Sequence, residues 1–365
     1  MTGTTDSILV LQEIRKLIEQ GRITRPGGVD PGQIQPASLD LTVGRRAWRV
    51  RSGFLSERGP VSARLADLAL YELDLAKGAI LERGHPYIVE LAERLDLPGE
   101  LRARCNPRSS TGRLDIFTRL VADGCARFDE LPPRYEGPLF LEVVPRSFSI
   151  RLTAGLSLNQ IRFYRGDPRL EDLELRALTA AEPLVTDQEG ERIPPEKLLI
   201  EGGISLRLSL QPNPEVGDIV GYKARRFSEI VGLSRKSGHN PLDFWEPIRA
   251  PRGGRLILEP EVFYLLASYE RIKVPPRLAA EMIPFDVGLG ELRTNYAGFF
   301  DNGFGPARAV LEVRAHDVPF LVEHGQPLFR MQFFRTALEP ERLYGEAELG
   351  SYYQSQGLAL SRHFG

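Results

Sequence analysis

The sequence predicts a mostly β protein made of two tandem domains, each a barrel or sandwich of short strands. Three observations predict this class: the length, the turn content and an internal repeat. The chain has 365 residues, whereas single hydrophobic cores rarely grow beyond about 250–300 residues. Its 35 glycines and 28 prolines divide the apolar runs into strand-length pieces, which is typical of antiparallel β folds.

One short helix is expected before the strands begin. In "SILVLQEIRKLIEQGRI", residues 7–23, apolar side chains recur with the spacing of an amphipathic helix. Ser7 is the expected N-cap, because a serine hydroxyl can accept a hydrogen bond from the first helical N–H groups.

The strand-rich region repeats itself later in the chain. Residues 80–107 align with residues 256–284, with Tyr87 on Tyr264 and Pro107 on Pro284 at an offset of 177. "LFLEVVPRSFSIRLTAGLSLNQIRFYR" aligns with "AVLEVRAHDVPFLVEHGQPLFRMQFFR" at an offset of 170. Two blocks in the same order at nearly equal offsets indicate a duplication. We therefore predict a first domain over residues 1–185 and a second over residues 186–365, joined in a polar stretch.

Composition excludes several classes of partner. The formal net charge is −2, so no overall basic field points to a nucleic acid, and any phosphate recognition must be local. No run of about 18 apolar residues occurs, so no membrane partner is expected. Two cysteines in a chain of this length make no disulfide framework, and the N-terminus lacks the pattern of a signal peptide, so a cytoplasmic location is expected.

Several kinds of catalytic site lack their sequence patterns. There is no C-x-x-C pair, and the five histidines are not at metal-pair spacing, so neither a zinc site nor another protein-bound metal site is expected. The patterns of a phosphate-binding P-loop, a dinucleotide-binding loop and a hydrolase nucleophile elbow are also missing.

The stretch "RSSTGR", residues 108–113, crowds hydrogen-bond donors just before an apolar run. Arg108 and Arg113 carry guanidinium groups that match phosphate oxygens, and Ser109 and Ser110 add hydroxyl groups. Gly112 lets the backbone approach a ligand closely. The segment is either a cradle for an anionic ligand or a polar turn with surface arginines.

Two glutamates occupy equivalent positions in the two copies. Glu142 lies in "LFLEVV" and Glu312 in "AVLEVR". A carboxylate that a strand turns into apolar surroundings tends to have a raised pKa, which suits a general base. Each glutamate could equally face solvent on its strand.

Two further segments have both a structural and a functional interpretation. "YAGFFDNGFG", residues 296–305, carries the Asp-Asn-Gly signal of a tight turn, and it is either a plain hairpin or one that binds a nucleobase. The C-terminal "SYYQSQGLALSRHFG" is either a frayed tail or a lid that closes Tyr353 and Gln356 over a ligand.

Together these stretches resemble the dCTP deaminase branch of the trimeric dUTPase fold family. "QIQPASLDLTVG" resembles the strand that opens that fold, and "RSSTGRLDIF" its R-S-S-x-x-R-x-G segment. "CARFD" resembles its A-H-R-I-D hairpin, "LFLEVVPRS" its catalytic-glutamate strand, and "YYQSQG" its closing segment. The length resembles the duplicated form of this branch. Only the first copy keeps "RSSTGR", where the second reads "FDVGLGE", and only the second keeps the complete turn "FFDNGFG".

The resemblance implies a metal-independent deamination of dCTP to dUTP and ammonia. A glutamate would activate the water that adds to C4 of cytosine; Glu142 is the first choice and Glu312 the alternative. Ser109 and Arg113 would fix the water and the 4-amino group. Mg²⁺ would enter through the substrate triphosphate, with no zinc. The substrate-binding residues would be Arg108, Ser110, Cys125, Arg127, Gln160, Tyr353 and Gln356.

The resemblance also implies an assembly with sites between domains or subunits, for which a homotrimer is the simplest closed form. Two alternatives to a monofunctional deaminase stay open. One is a dUTP diphosphatase, or a bifunctional enzyme that carries dCTP on to dUMP. The other is a non-catalytic, nucleotide-binding regulator.

Overall fold

The computed structural model describes residues 6–212, 217–284, 292–294, 298–346, 353–354 and 357–365. Strands in this part of the chain are far more extensive than helices, which confirms the predicted mostly β class. The strands of the first copy are β1 Ser7–Ile8, β2 Ile23–Thr24, β3 Leu39–Leu41, β4 Val43–Val50, β5 Ala69–Asp74, β6 Ala79–Leu81, β7 Tyr87–Asp96, β8 Leu101–Pro107, β9 Ile116–Ala122, β10 Glu130–Leu131, β11 Glu136–Pro145, β12 Ile150–Leu152 and β13 Asn159–Arg165.

The second copy repeats this strand-rich pattern. Its strands are β14 Val185–Thr186, β15 Ile204–Ser209, β16 Ile219–Ala224, β17 Val231–Gly232, β18 Trp245–Arg249, β19 Arg255–Leu258, β20 Phe263–Ile272, β21 Leu278–Pro284, β22 Leu292–Thr294, β23 Phe299–Phe300, β24 Ala307–Ala315, β25 Phe320–Glu323 and β26 Pro327–Arg335. The α-helices are short: α1 Leu11–Glu19, α2 Val61–Leu68, α3 Ser109–Gly112, α4 Asp172–Ala181 and α5 Pro241–Phe244.

The N-terminal helix starts later than the sequence pattern predicts. Ser7 and Ile8 form β1 and pair with Arg165 and Tyr164 of β13, so Ser7 is not the N-cap. The helix begins at Leu11 after Val10, whose N–H donates to the Glu13 carboxylate at 3.2 Å. Pairing with a sheet edge satisfies the backbone of the first residues and therefore overrides the helical periodicity.

The strand registers confirm the internal repeat. In the first copy Glu142 of β11 lies opposite Ile88 of β7, and in the second Glu312 of β24 lies opposite Leu265 of β20. Glu142 and Glu312 are 170 positions apart, and Ile88 and Leu265 are 177 positions apart. These are the two offsets that align the copies. Each copy therefore builds the same antiparallel strand pair around its glutamate.

The two domains share their cores. Val231, Leu233, Trp245 and Phe364 belong to the second copy in sequence, but they pack in the core of the first copy. Strand β17 also pairs in parallel with β12 of the first copy. Leu170 and Leu184 in turn pack in the second core, ahead of the predicted boundary at 185, so the boundary stays a prediction.

Strand β24 presents its two faces to different domains. Ala309, Leu311 and Val313 point into the core of the second copy, whereas Val310 packs in the first core. Glu312 and Arg314 share the face of Val310, because alternate residues of a strand lie on one side. The second copy thus turns its glutamate toward the first copy.

No helix in the described part of the chain combines the length and the apolarity needed to span a lipid bilayer.

Candidate active site

The "RSSTGR" segment forms a tight, anchored turn between β8 and β9. Strand β8 ends at Pro107, and residues 109–112 make the single turn of α3. Two hydrogen bonds hold the turn against the Leu158 carbonyl: Arg108 N–H donates at 2.9 Å and the Thr111 hydroxyl at 2.8 Å. The segment is therefore a fixed element of the domain boundary and not a solvated surface turn.

Arg113, the last residue of this segment, is buried among residues of the second copy. Its guanidinium lies 3.8 Å from the centre of the Tyr353 ring and donates to the Ala359 carbonyl at 3.1 Å. Burial lowers the pKa of Arg113, and the charges of Tyr353 and Glu312 oppose that shift. An arginine keeps its proton in proteins, so Arg113 places a fixed positive charge within electrostatic range of the Glu312 carboxylate.

Glu312 reaches this region because β24 lies against the first copy. Two residues along the same face, Arg314 forms a buried ion pair with Asp115, which follows "RSSTGR" by two positions. The Arg314 guanidinium also donates to the Ser147 hydroxyl at 3.3 Å. This contact fixes β24 against the segment that carries Arg113.

A second group of charges surrounds Arg108. Its guanidinium pairs with the Asp40 carboxylate at 2.8 Å. Burial raises the pKa of Asp40 to about 6; Arg108 and Arg362 act in the opposite direction, and Asp301 adds to the rise. These four charged residues thus lie within electrostatic range of one another. The arginines of the first copy and of the C-terminal segment converge on one carboxylate.

The Asp-Asn-Gly turn of the second copy lies beside these residues. Asp301 forms a buried ion pair with Arg162 at 2.7 Å, and the Ser38 hydroxyl donates to its carboxylate at 3.3 Å. The Arg162 guanidinium also lies 4.1 Å from the centre of the Phe299 ring. The first copy therefore holds this hairpin in place with charged and polar groups.

The C-terminal segment is packed in its described part, so it is not a frayed tail. The Ser361 hydroxyl donates to the Ser110 carbonyl at 2.8 Å, and Phe364 packs edge-to-face against Trp245 with ring centres 6.0 Å apart. These contacts join the chain end to the "RSSTGR" segment. Tyr353 lies at the site, whereas Gln356 falls outside the described residues.

Glu142 has a different environment, although it is as buried as Glu312: the two residues are 2% and 3% exposed. Burial therefore does not distinguish them, but their contacts do. The Glu142 carboxylate pairs with Arg119 of its own copy at 2.6 Å. It also lies against Gly53, where an added Cβ would clash with Oε2 of Glu142. The first copy covers its own glutamate with its own chain.

The other predicted residues divide between the site and the rest of the first domain. Ser109 opens α3 beside Arg108, and Gln160 lies opposite Asp40 in the β13–β3 pair. Cys125 instead packs in the first core, and burial raises the pKa of its thiol to about 11. Arg127 is exposed and pairs with Glu130 at 3.0 Å. The structure does not bring Cys125 and Arg127 to the other predicted residues.

No cluster of metal ligands occurs at this site among the described residues. The only group of three that could hold an ion in that part of the chain is Glu261, His316 and Asp317. Glu261 also pairs with Arg146 at 3.2 Å, which opposes binding of a cation.

Family models match both halves of the chain. The model of the 2'-deoxycytidine 5'-triphosphate deaminase N-terminal domain matches residues 5–167, and the model of the C-terminal domain matches residues 171–364. The chain belongs to the dCTP deaminase family. The proposed resemblance is thereby confirmed, and this family member is a deaminase, a class of hydrolase.

Individual dCTP deaminases agree with this assignment. The chain is similar to a crystal structure of 2'-deoxycytidine 5'-triphosphate deaminase from Agrobacterium tumefaciens, with 44% identity and a TM-score of 0.86, over 92% of this chain and 100% of that one. A dCTP deaminase of Natronomonas pharaonis is 30% identical over 43% of this chain and 79% of its own length. A relative from Dictyoglomus thermophilum, named dCTP deaminase, dUMP-forming, is 29% identical over 43% of this chain and 80% of its own length.

Sequence reasoning missed two charged residues of this candidate site. Asp40 lies between leucines in "SLDL", and Arg162 lies between isoleucine and phenylalanine in "NQIRFY". Each is a charged residue in a short apolar strand, and buried charges are almost always paired. That signal could have marked both residues, but it does not identify their partners, which lie far away in the sequence.

Proposed function

We propose that this chain deaminates dCTP to dUTP and ammonia at the boundary between its two copies. One observation carries the proposal: Arg113 of the first copy lies against Tyr353 of the second and within electrostatic range of Glu312. The segment that only the first copy keeps and the glutamate of the copy with the complete turn thus belong to the same region of one chain.

Glu312 is the proposed general base. Its carboxylate takes a proton from a water molecule as the water oxygen adds to C4 of cytosine, and passes that proton to N3. It then takes the proton of the new C4 hydroxyl group and delivers it to the 4-amino group, which leaves as ammonia as the C4 carbonyl forms. Arg113 supports this role, since a nearby guanidinium favours the ionised carboxylate that the first step requires. Glu142 is the weaker candidate, because Arg119 and Gly53 cover its carboxylate.

The remaining residues hold the substrate. Ser109 and Arg113 orient the water and the 4-amino group, and the Asp301 hairpin lies where it can bind the base. Arg108 and Ser110 bind the triphosphate together with Arg362, and Gln160 lies near the same charged group. Tyr353 covers Arg113 and limits access of bulk water to it.

Mg²⁺ fits this site as part of the substrate. Magnesium is usually held by few protein carboxylates together with substrate phosphates, and because Arg108 already pairs with Asp40 at 2.8 Å, the triphosphate oxygens would supply most of its ligands. The ion would neutralise charge on the triphosphate, and every proton transfer is assigned to the side chains above.

Both halves of the proposed site come from one chain, so the site does not itself require a partner subunit. The homotrimer stays a prediction. Specific activity that is constant across a hundredfold dilution, with the assembly state followed by light scattering, would support a site within one chain. Activity that falls in step with dissociation would show that a neighbouring subunit contributes.

A second candidate product is dUMP. Several relatives are named dCTP deaminase, dUMP-forming, so the bifunctional alternative has a specific observation in its favour. Incubation with dCTP and Mg²⁺, with ammonia and pyrophosphate measured together, separates the two. Ammonia alone supports the monofunctional enzyme, and ammonia together with pyrophosphate supports the dUMP-forming one. The absence of both products would overturn the proposal.

A further inference from the structure

The two copies build the same two-stranded ribbon at equivalent places. In the first copy β12 pairs with β6, with Arg151 opposite Ile80. In the second copy β25 pairs with β19, with Leu321 opposite Ile257. Arg151 and Leu321 differ by the offset of 170, and Ile80 and Ile257 by the offset of 177, that align the copies. The two ribbons are therefore structural counterparts.

The second copy covers the ribbon of the first. Strand β17 pairs in parallel with β12, and the Leu233 N–H donates to the Arg151 carbonyl at 3.2 Å. Just before β12, the buried Phe148 packs edge-to-face against Phe244 and Trp245, with ring centres 5.6 and 5.2 Å apart. This ribbon thus receives both a third strand and an aromatic cover.

The ribbon of the second copy has neither kind of cover in the part of the chain that the structure describes. There β19 and β25 form a sheet of two strands. Val318, the counterpart of the buried Phe148, is 60% exposed, and Leu321 is 47% exposed. Ile257, opposite Leu321, is also exposed. The second copy therefore presents apolar side chains to solvent, with a leucine where the first copy has the charged Arg151.

The backbone of β25 also points away from its partner strand at Leu321. The His324 N–H donates to the Gly254 carbonyl at 2.8 Å. From this bond, the alternation of an antiparallel ladder directs the N–H and C=O groups of Leu321 to the outer edge. The next outward N–H, that of Glu323, donates to the Gln326 side chain at 3.0 Å. Outward backbone groups beside apolar side chains make an edge strand a template for pairing.

The first copy's counterpart of β17 is held on its own copy. Residues 53–55, "GFL", correspond to "VGL" at residues 231–233. Gly53 lies against the Glu142 carboxylate, and Phe54 packs against an apolar cluster of the first copy. This segment therefore does not leave its domain to cover the β25 ribbon of another chain, as β17 covers β12.

We propose that the β25 edge pairs with the β25 edge of a second copy of this chain, antiparallel and about a two-fold axis at Leu321. Each Leu321 N–H then donates to the Leu321 carbonyl of the partner subunit, and the two bonds close the contact, as two-fold interfaces do. Leu321 and Ile257 of both chains form one apolar stripe across four strands. The pair of Arg255 with Glu323 at 2.6 Å lies at one end of each ribbon, so the axis separates the like charges.

This contact goes beyond the proposed reaction and does not depend on it. Each of the pairing strands has four residues, so the interface falls at the small end of the range, where complexes are transient. We therefore expect a weak dimer that forms as the protein concentration rises.

Sedimentation analysis of the full chain over a hundredfold range of concentration, up to millimolar protein, tests the dimer. Leu321→Arg introduces the residue that the first copy has at the equivalent position, and it places two like charges opposite each other across the axis. Leu173→Arg, at an exposed leucine of α4, is the matched control. We expect the mass to double in the parent and in the control, and the association to be about tenfold weaker or more in Leu321→Arg. A parent of constant mass, or a Leu321→Arg protein that associates like the control, would overturn the proposal.

A cysteine at the axis tests the register and the symmetry. Residues opposite each other in a hydrogen-bonded antiparallel pair have Cα atoms about 5.5 Å apart, which a disulfide can bridge. With copper phenanthroline as the oxidant, Leu321→Cys should form a covalent dimer much faster than Leu173→Cys, since Cys105 and Cys125 are buried. Equal rates in the two variants would refute the two-fold pairing, whether or not Leu321→Arg folds. Ammonia release from dCTP, measured on the same proteins, tests the proposed function separately.

Discussion

Replacing each of the paired glutamates by glutamine provides the sharpest test of the composite site. Glu312→Gln keeps the shape of the side chain but cannot take a proton. A positioned general base contributes about 10²–10⁴-fold to a rate, so kcat should fall by that factor, or about 3–5 kcal/mol. The KM for dCTP should change little, because Arg108, Arg113 and the hairpin remain.

Glu142→Gln is the matched control, since Glu142 lies at the equivalent strand position with nearly equal burial. It loses charge-assisted hydrogen bonds to Arg119 at 2.6 and 3.2 Å. Such bonds contribute about 1.5–3 kcal/mol, and solvent access to the Arg119 side chain, which is 30% exposed, reduces the cost to roughly 1–2 kcal/mol. We therefore expect lower stability with turnover close to that of the parent.

The assay is ammonia release from dCTP with Mg²⁺, with thermal melting and dCTP binding measured on each variant. The reasoning is refuted if Glu142→Gln abolishes deamination in a folded, dCTP-binding protein while Glu312→Gln turns over at the parental rate. That result would return the role of base to Glu142 and would mean that the charge of Arg113 near Glu312 has no part in the chemistry.

Three further changes test other contacts of the molecule. Tyr353→Ala removes the ring that covers Arg113 and should raise the KM for dCTP more than it lowers kcat; a kinetic profile like that of the parent would show that the closing segment does not cover the substrate. Arg314→Met leaves the buried Asp115 without its ion-pair partner, which should lower the free energy of unfolding by about 3–5 kcal/mol in denaturant titrations, and an unchanged midpoint would contradict the role given to this contact. Burial lowers the pKa of His363 from 6.5 to about 4. Between these pH values the folded protein therefore binds fewer protons than the unfolded chain. The stabilisation that neutral His363 provides is present above pH 6.5 and is lost as pH falls toward 4. His363→Gln should therefore lose less stability than the parent between pH 7 and pH 5, by about 2 kcal/mol, and identical pH profiles of the melting temperature would refute this assignment.

The sequence predicted those features of the fold that depend on local pattern and on repetition. Turn residues between apolar runs indicated the strands, and two blocks at nearly constant offset indicated the duplication. The registers of Glu142 against Ile88 and of Glu312 against Leu265 agree with those offsets. The helix start at Leu11 was missed, because the edge of β13, which captures Ser7 and Ile8, is distant in sequence.

The sequence predicted which residues belong to the candidate site, but not which of them lie next to one another. Arg108, Arg113, Glu312 and Tyr353 were all singled out, yet periodicity gives a buried face without saying which domain covers it. Glu142 and Glu312 lie in almost identical strands, so their neighbours in sequence could not rank them. Only the packing of β24 on the first copy distinguishes them.

The division of the site between two unequal copies has a consequence for how the enzyme can vary. In an assembly of identical subunits, one substitution alters every site and every interface at once. In this fused chain, a change in "RSSTGR" alters only one copy, and a change at Glu312 only the other. On the proposed assignment each half can therefore specialise separately, and changes at Glu142 or in "FDVGLGE" would leave the proposed reaction unaltered.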